Sequence, residues 1–172
     1  MSWNVQGLKE KLIDCDFVHY CLQYDFVGLI EIWKNCLKVN IEDTFNDYMV
    51  YVNHREYNDR GGVALCIRSR LQMYVKEVFL NFSDCIFVLL DKSLFGISRD
   101  ILLGCIYVHP LHSSVKTDKR LYKGIDYIED VLLSLNDSID DDFVVMIMGD
   151  FNARTGDLTD YILKDDDLLD RI

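Results

Sequence analysis

Six short apolar segments follow one another through the middle of this chain, with no long helical pattern between them. Phe26–Ile30 is a buried-looking run that ends at Glu31. Tyr48–Asn53 is rich in β-branched and aromatic residues, the composition of a strand. Arg60-Gly61-Gly62 reads as a turn, and Val63–Ile67 leads away from it. Met73–Leu80 and Cys85–Leu90 are two further strands separated by the polar link Asn81–Asp84, and Ile101–Val108 ends in His109-Pro110. Helical periodicity is confined to the flanks. Over Gly7–Gln23, Leu8, Leu12, Cys15, His19 and Leu22 recur at spacings of four and three. Over Leu121–Leu135, Leu121, Ile125, Ile128, Leu132 and Leu135 form one stripe. A last buried strand, Phe143–Met148, follows, and the acidic tail from Gly156 predicts at most a short helix near Leu158–Leu163. Strands in series between outer helices are not βαβ alternation. They suit two sheets packed face to face with helices outside.

A chain of 172 residues is one domain by its length, and half of it is hydrophobic, enough for a substantial core. No apolar run approaches the ~18 residues of a membrane span. The opening Met1-Ser2-Trp3-Asn4-Val5-Gln6 lacks the basic and apolar regions of a secretory signal, so no membrane association is expected. Cys15, Cys21, Cys36, Cys66, Cys85 and Cys105 form no C-x-x-C pair. They read as buried free thiols, which points to an intracellular, reducing compartment, cytoplasm or nucleus. The net charge of −11 is uneven: residues 1–75 carry 8 basic and 10 acidic side chains, residues 76–172 carry 10 and 19. A nucleic-acid binder usually has a basic surface. Nucleic acid would therefore be held here by a few local contacts and a metal, or by basic surface elsewhere in a longer protein. Asp140-Asp141-Asp142 and Asp165-Asp166-Asp167 read as solvated loops.

Three apolar runs end in polar residues. One reaches Glu31, one reaches Tyr107 and His109, and one passes the turn glycine Gly149 to Asp150 and Asn152. Ligands gather where strand ends expose such side chains. An acid at the lip of a sheet costs free energy unless it binds a cation or a hydrogen-bond donor. Magnesium takes one or two carboxylates, with waters and substrate phosphate completing its shell, and Glu31 and Asp150 are the natural pair. Asn152 can donate and accept, so it can orient a water or a phosphate oxygen. A tyrosine hydroxyl such as that of Tyr107 can donate to a non-bridging oxygen. Each residue also has a plain structural reading. Asp150 and Asn152 can cap a turn, Glu31 can be a solvated loop acid, Tyr107 a half-buried strand aromatic, and Asn4 a turn residue.

The order of short motifs adds to this. Ser2-Trp3-Asn4-Val5-Gln6-Gly7-Leu8, Gly28-Leu29-Ile30-Glu31, Arg60-Gly61-Gly62-Val63-Ala64, Tyr107-Val108-His109-Pro110 and Gly149-Asp150-Phe151-Asn152-Ala153-Arg154 follow in sequence. Together they resemble the endonuclease/exonuclease/phosphatase superfamily. The likeness is greatest to the apurinic-type endonuclease domain of LINE-type (non-long-terminal-repeat) retrotransposons, and it spans essentially the whole chain. The resemblance implies an α/β four-layer sandwich of two packed mixed sheets flanked by helices, with residues 1–172 as a single domain. It implies divalent-metal-dependent cleavage of DNA phosphodiesters, with magnesium or manganese as cofactor and a reverse transcriptase domain in a longer parent protein. Carried over by position, Glu31 would be the metal ligand, with Asn4 in the metal-side hydrogen-bond network. Tyr107 would contact the scissile phosphate, Asp150 would orient or deprotonate the attacking water, and Asn152 would hold the phosphate or nucleophile.

The sequence departs from that pattern in places. Gln6 stands where relatives often carry an acid, and Ile30 where they carry glutamine. The family closes with a Ser-Asp-His motif whose histidine acts on the water. None of His19, His54, His109 and His112 occupies that place. The expectation is therefore a domain lacking its C-terminal part, a piece of a larger polyprotein or a decayed copy. Loss of general acid–base help typically costs ~10²–10⁴-fold in rate. Two other readings stand beside the nuclease: a non-catalytic folded module, and a phosphoesterase acting on inositol phosphates or sphingomyelin.

Overall fold

The computed structural model describes residues 1–36, 38–54, 59–108, 125–140 and 142–152. His109-Pro110, the first turn expected of the second helix, Ala153-Arg154 and the short helix expected near Leu158–Leu163 lie outside them.

Eight strands are present among these residues: β1 (Ser2–Asn4), β2 (Phe26–Ile30), β3 (Tyr48–Asn53), β4 (Val63–Arg68), β5 (Val75–Phe79), β6 (Cys85–Leu90), β7 (Asp100–Tyr107) and β8 (Phe143–Asp150). Helices α1 (Leu8–Lys11) and α2 (Cys15–Cys21) follow β1. Helix α3 (Lys38–Thr44) separates β2 from β3, and α4 (Ile125–Asn136) precedes β8. The strands assemble into two four-stranded sheets, in the orders β1-β2-β4-β3 and β5-β6-β7-β8. Each sheet is mixed. One parallel pair lies at one side, β1 with β2 and β7 with β8, and the remaining pairings are antiparallel.

Three apolar layers hold the four tiers together. Between the sheets, Ile30, Val63, Leu65 and Ile67 meet Ile86, Val88, Leu103 and Cys105. The outer face of the first sheet, through Val27, Leu29 and Cys66, packs against Leu8, Phe17, Cys21, Ile41 and Phe45 of the helical layer. The outer face of the second, through Phe87, Leu102 and Ile106, packs against Ile128, Val131 and Leu135 of α4. All residues of β6 and β7 are buried, as expected of strands covered on both faces. The result is the α/β four-layer sandwich expected from the sequence.

The differences lie in local punctuation. The single helix expected over Gly7–Gln23 is two. Asp14 ends the first segment and caps the second, its carboxylate accepting from the amides of Asp16 (3.1 Å) and Phe17 (3.2 Å). The break rotates the buried face, so Leu8, Phe17 and Cys21 are buried while Cys15 is exposed. Helix α3 has no strong apolar period, yet it docks because Ile41 and the adjoining Phe45 are fully buried. A 3₁₀ turn over Ser69–Tyr74 takes up the start of the strand expected from Met73. Among the described residues, no helix is long and apolar enough to cross a membrane.

Strand β2 lies close to the second sheet at Gly28. A Cβ on Gly28 would lie 2.7 Å from Cys105 Sγ and 3.2 Å from the Met148 methyl. Glycine is therefore the residue that lets β2 approach β7 and β8. This matters because β1, β2, β7 and β8 all end at the same side of the interface.

Candidate active site

Parallel pairing aligns the C-terminal ends of β1 and β2 in one sheet and of β7 and β8 in the other. Asn4 is paired with Ile30, one residue before Glu31, and Tyr107 is paired with Asp150. Strands β1 and β8 approach each other across the interface. Four of the five site residues expected from the sequence are thus brought to one mouth by strand register, and the fifth, Asn152, lies two residues beyond.

A single side-chain amide ties them. Asn4 Nδ2 donates to Glu31 Oε1 at 3.1 Å and to Asp150 Oδ2 at 2.8 Å. The two carboxylate oxygens lie no farther apart than those bonds laid end to end. Asn4 is held in turn, because its Oδ1 accepts from the Gln6 amide at 3.2 Å. The backbone beyond β1 then runs along the exit of β2. Val5 donates to Ile30 O (2.8 Å), Gly7 to Glu31 O (2.8 Å) and Leu8 to Ile32 O (3.2 Å).

Three non-glycine residues around this cluster adopt left-handed backbone: Gln6 (φ 48°), Glu31 (φ 59°) and Asn152 (φ 43°). Such residues cost ~1–3 kcal/mol each and persist where the surroundings over-determine them. For Glu31 those surroundings are the bond from Gly7 to its own carbonyl and the turn that follows. Ile32 and Trp33 donate to the carbonyls of Gly62 (3.3 Å) and Gly61 (3.0 Å).

The Gly149-Asp150-Phe151-Asn152 segment differs from the expected strand-then-turn. Gly149 lies inside β8, which runs through Asp150. It has φ 154°, and a Cβ there would stand 2.0 Å from the carbonyl oxygen of Ile106. The glycine thus permits close approach of β8 to β7. Asp150 is locked on both sides: its main-chain oxygen accepts from Val108 N (2.8 Å) and its Oδ1 from Asn152 N (2.9 Å). Asn152 Nδ2 donates to Val108 O at 2.8 Å, which folds the segment back onto β7. One of its two N–H groups therefore serves the turn.

Tyr107 is 8 % exposed and belongs to the inter-sheet core at its rim. Residues paired across a ladder project from the same face, so Tyr107 and Asp150 lie side by side. Of the four histidines, the described His19 lies on α2 and His54 just after β3, with its Nδ1 beside Gly62, whose carbonyl accepts from the residue after Glu31. Burial, with Lys34 close by, holds the His54 imidazole below its ordinary range. Sequence reading missed the part played by Gly61 and Gly62 in fixing the chain after Glu31; the paired glycines were the signal.

Glu31, Asn4 and Asp150 are half-buried and Asn152 is exposed, so the mouth is open to solvent. Two carboxylates and amide carbonyls form a hard-oxygen donor set, the kind that fits magnesium held by few protein ligands. Among the described residues no larger cluster of His, Cys, Asp and Glu able to hold a metal occurs. Both Asp150 oxygens already accept hydrogen bonds, from Asn4 and from the Asn152 amide. Such an ion is therefore met first by Glu31, of which only Oε1 accepts from Asn4, and the amide tie brings the two groups to one place in advance.

A family model described as the Endonuclease/Exonuclease/phosphatase family matches residues 1–171. Among curated proteins none matches the sequence. Several solved structures share the fold. TDP2 from Caenorhabditis elegans superposes with a TM-score of 0.60 at 14% identity, covering 92% of this chain and 48% of that one. ANGEL2, a 2′,3′-cyclic phosphatase, gives 0.56 at 13% identity, covering 89% and 48%. An AP endonuclease from Archaeoglobus fulgidus gives 0.55 at 16% identity, covering 88% and 56%. The chain spans about half the length of these structures. The family match runs along nearly every residue, and the solved structures share the fold: this chain belongs to the Endonuclease/Exonuclease/phosphatase family.

Proposed function

We propose that this chain is a divalent-metal-dependent phosphodiesterase that cleaves DNA by attack of water on a backbone phosphorus. The observation that carries the reading is the Asn4 amide donating at once to Glu31 and Asp150. The tie satisfies both acids and holds them together at one mouth, where a single cation can be shared between them. Family membership supports a hydrolase of phosphate esters.

Glu31, with Asp150 beside it, would hold magnesium or manganese. When bound, the ion neutralises phosphate charge and stabilises the leaving oxygen. Asp150 accepts a hydrogen bond from the attacking water and takes its proton as the new P–O bond forms. The bond to the leaving oxygen breaks, and that oxygen leaves as an alcohol once protonated from solvent. Tyr107 donates to a non-bridging oxygen, and the Asn152 carbonyl orients the water. The motif order supports a retrotransposon-type endonuclease that works beside a reverse transcriptase domain in a longer parent protein. Five buried free thiols support an intracellular, reducing setting.

Isothermal titration of magnesium into the wild type and Glu31→Ala tests the proposal. Specific binding is expected in the wild type and its loss in the variant. A non-catalytic module would show no specific binding in either. Turnover of plasmid DNA, abasic DNA and small phosphodiesters then assigns the substrate, and preference for a small phosphodiester over both DNAs refutes the DNA assignment.

A further inference from the structure

Asp84 is a carboxylate that the mechanism above leaves unused, and it is 1 % exposed. Burying an acid is costly unless it is well hydrogen-bonded, so its place needs a reason. It closes the Asn81–Asp84 link and precedes β6 in a left-handed conformation (φ 55°).

Its two ends bond to different sheets. Oδ1 accepts from the Gly62 amide of the first sheet at 3.2 Å, a bond buried from solvent. Its main-chain oxygen accepts from the Tyr107 amide of the second sheet at 2.9 Å. Each contact leads directly to the site. Gly62 and Gly61 receive the amides of Ile32 and Trp33, the two residues after Glu31. Tyr107 is the ladder partner of Asp150.

The link that carries Asp84 is itself clamped. Asn53 Nδ2, at the end of β3, lies within hydrogen-bond distance of the carbonyls of Leu80 (3.1 Å), Phe82 (2.6 Å) and Cys85 (2.9 Å). The Tyr127 hydroxyl of α4 donates to Ser83 O at 3.0 Å. A short link gripped by the first sheet and by the outer helix is a rigid post, and Asp84 is its tip.

We propose that Asp84 is a positioning residue for the phosphodiesterase site. Its carboxylate pins the Gly61-Gly62 turn, the turn fixes the chain after Glu31, and the same residue's carbonyl fixes Tyr107. Asn4 sets the spacing of Glu31 and Asp150 at the mouth, and Asp84 sets it from behind. The proposal rests on the reading of the site as a phosphodiesterase, but its first readout does not depend on turnover.

Amide exchange and turnover are measured on Asp84→Ala and Asp84→Asn. In Asp84→Ala the Gly62 amide loses its acceptor. It is expected to exchange ~10-fold faster or more, with smaller increases at Ile32 and Trp33 and none in β6 or β7 interiors. Turnover of plasmid DNA at saturating magnesium is expected to fall ~10–100-fold in kcat with little change in KM, the effect of misplacing a reacting group by about an ångström. Asp84→Asn keeps an oxygen in the same place and is expected to recover most of both. Should Asp84→Ala fail to fold, Asp84→Glu, which displaces the carboxylate without deleting it, is read the same way. Wild-type exchange at Gly62, Ile32 and Trp33 in a folded Asp84→Ala overturns the proposal, as does a uniform rise over the whole chain. A wild type that hydrolyses nothing overturns the phosphodiesterase reading instead, while exchange still decides whether Asp84 holds the turn.

Discussion

Replacing Gly149 by alanine tests how tightly β8 must lie against β7. The added methyl would stand 2.0 Å from Ile106 O, 2.9 Å from its carbonyl carbon and 3.0 Å from its nitrogen. All three are backbone atoms, so no side chain can swing aside. Optimal contacts lie near ~3.5 Å, and the strands must separate locally by about an ångström or more. The bond from Val108 N to Asp150 O, now 2.8 Å, would then exceed hydrogen-bond range. One or two lost ladder bonds at ~0.5–1.5 kcal/mol each, with ~1–2 kcal/mol for a Cβ at positive φ, give a destabilisation of ~2–5 kcal/mol. Gly96 is the control. Its φ is +64°, but nothing lies within 4 Å of a Cβ built there, so Gly96→Ala incurs only the conformational ~1–2 kcal/mol. Urea unfolding measures both. With a slope of ~2 kcal/mol per molar, Gly149→Ala should lower the midpoint by ~1–2.5 M and Gly96→Ala by ~0.5–1 M. The same shift of β8 pulls Asp150 from Asn4, so magnesium binding should weaken in Gly149→Ala alone. A Gly149→Ala midpoint no lower than that of Gly96→Ala refutes the close-approach argument.

Two further outcomes follow from the thiols. Burial pushes Cys21 up to about 11 and Cys105 up to about 12, and raises Cys66 and Cys85 as well. Below about pH 9 these thiols are protonated in both folded and unfolded chains, and stability is unaffected. Above it the unfolded chain gives up protons that the folded chain keeps, so stability falls as pH rises toward 11–12, by ~1.4 kcal/mol per pH unit for each such proton. Thermal unfolding from pH 8 to 10.5 should show that decline, and a flat profile would contradict it. Native-state alkylation at pH 8 should modify Cys15 rapidly and the five buried cysteines only on unfolding; rapid loss of two or more thiols would show that the core is open.

Much of the molecule was legible from local pattern. The segments Phe26–Ile30, Tyr48–Asn53 and Cys85–Leu90 form strands over the residues expected, because β-branched and apolar runs that short have no good helical alternative. What sequence missed was decided by packing or by a cap. Asp14 broke a helix that periodicity drew as continuous. Helix α3 took its stability from burying Ile41 and Phe45 rather than from propensity. Gly149 read as a turn because glycine usually marks one, yet it sits in a strand where another backbone comes close.

The candidate site divides in the same way. Sequence alone supplied the residue types, Asn4, Glu31, Tyr107, Asp150 and Asn152, and the strand ends that carry them. It also supplied the family, because short motifs in a fixed order are a one-dimensional signal. Only the tertiary structure brought them together. The amide that joins Glu31 and Asp150 reaches 27 residues along the chain to one and 146 to the other. No local rule sets distances over such separations. They are fixed by which strands pair in parallel, by two glycines that let backbones close up, and by a buried aspartate whose role appears only when both sheets are in place.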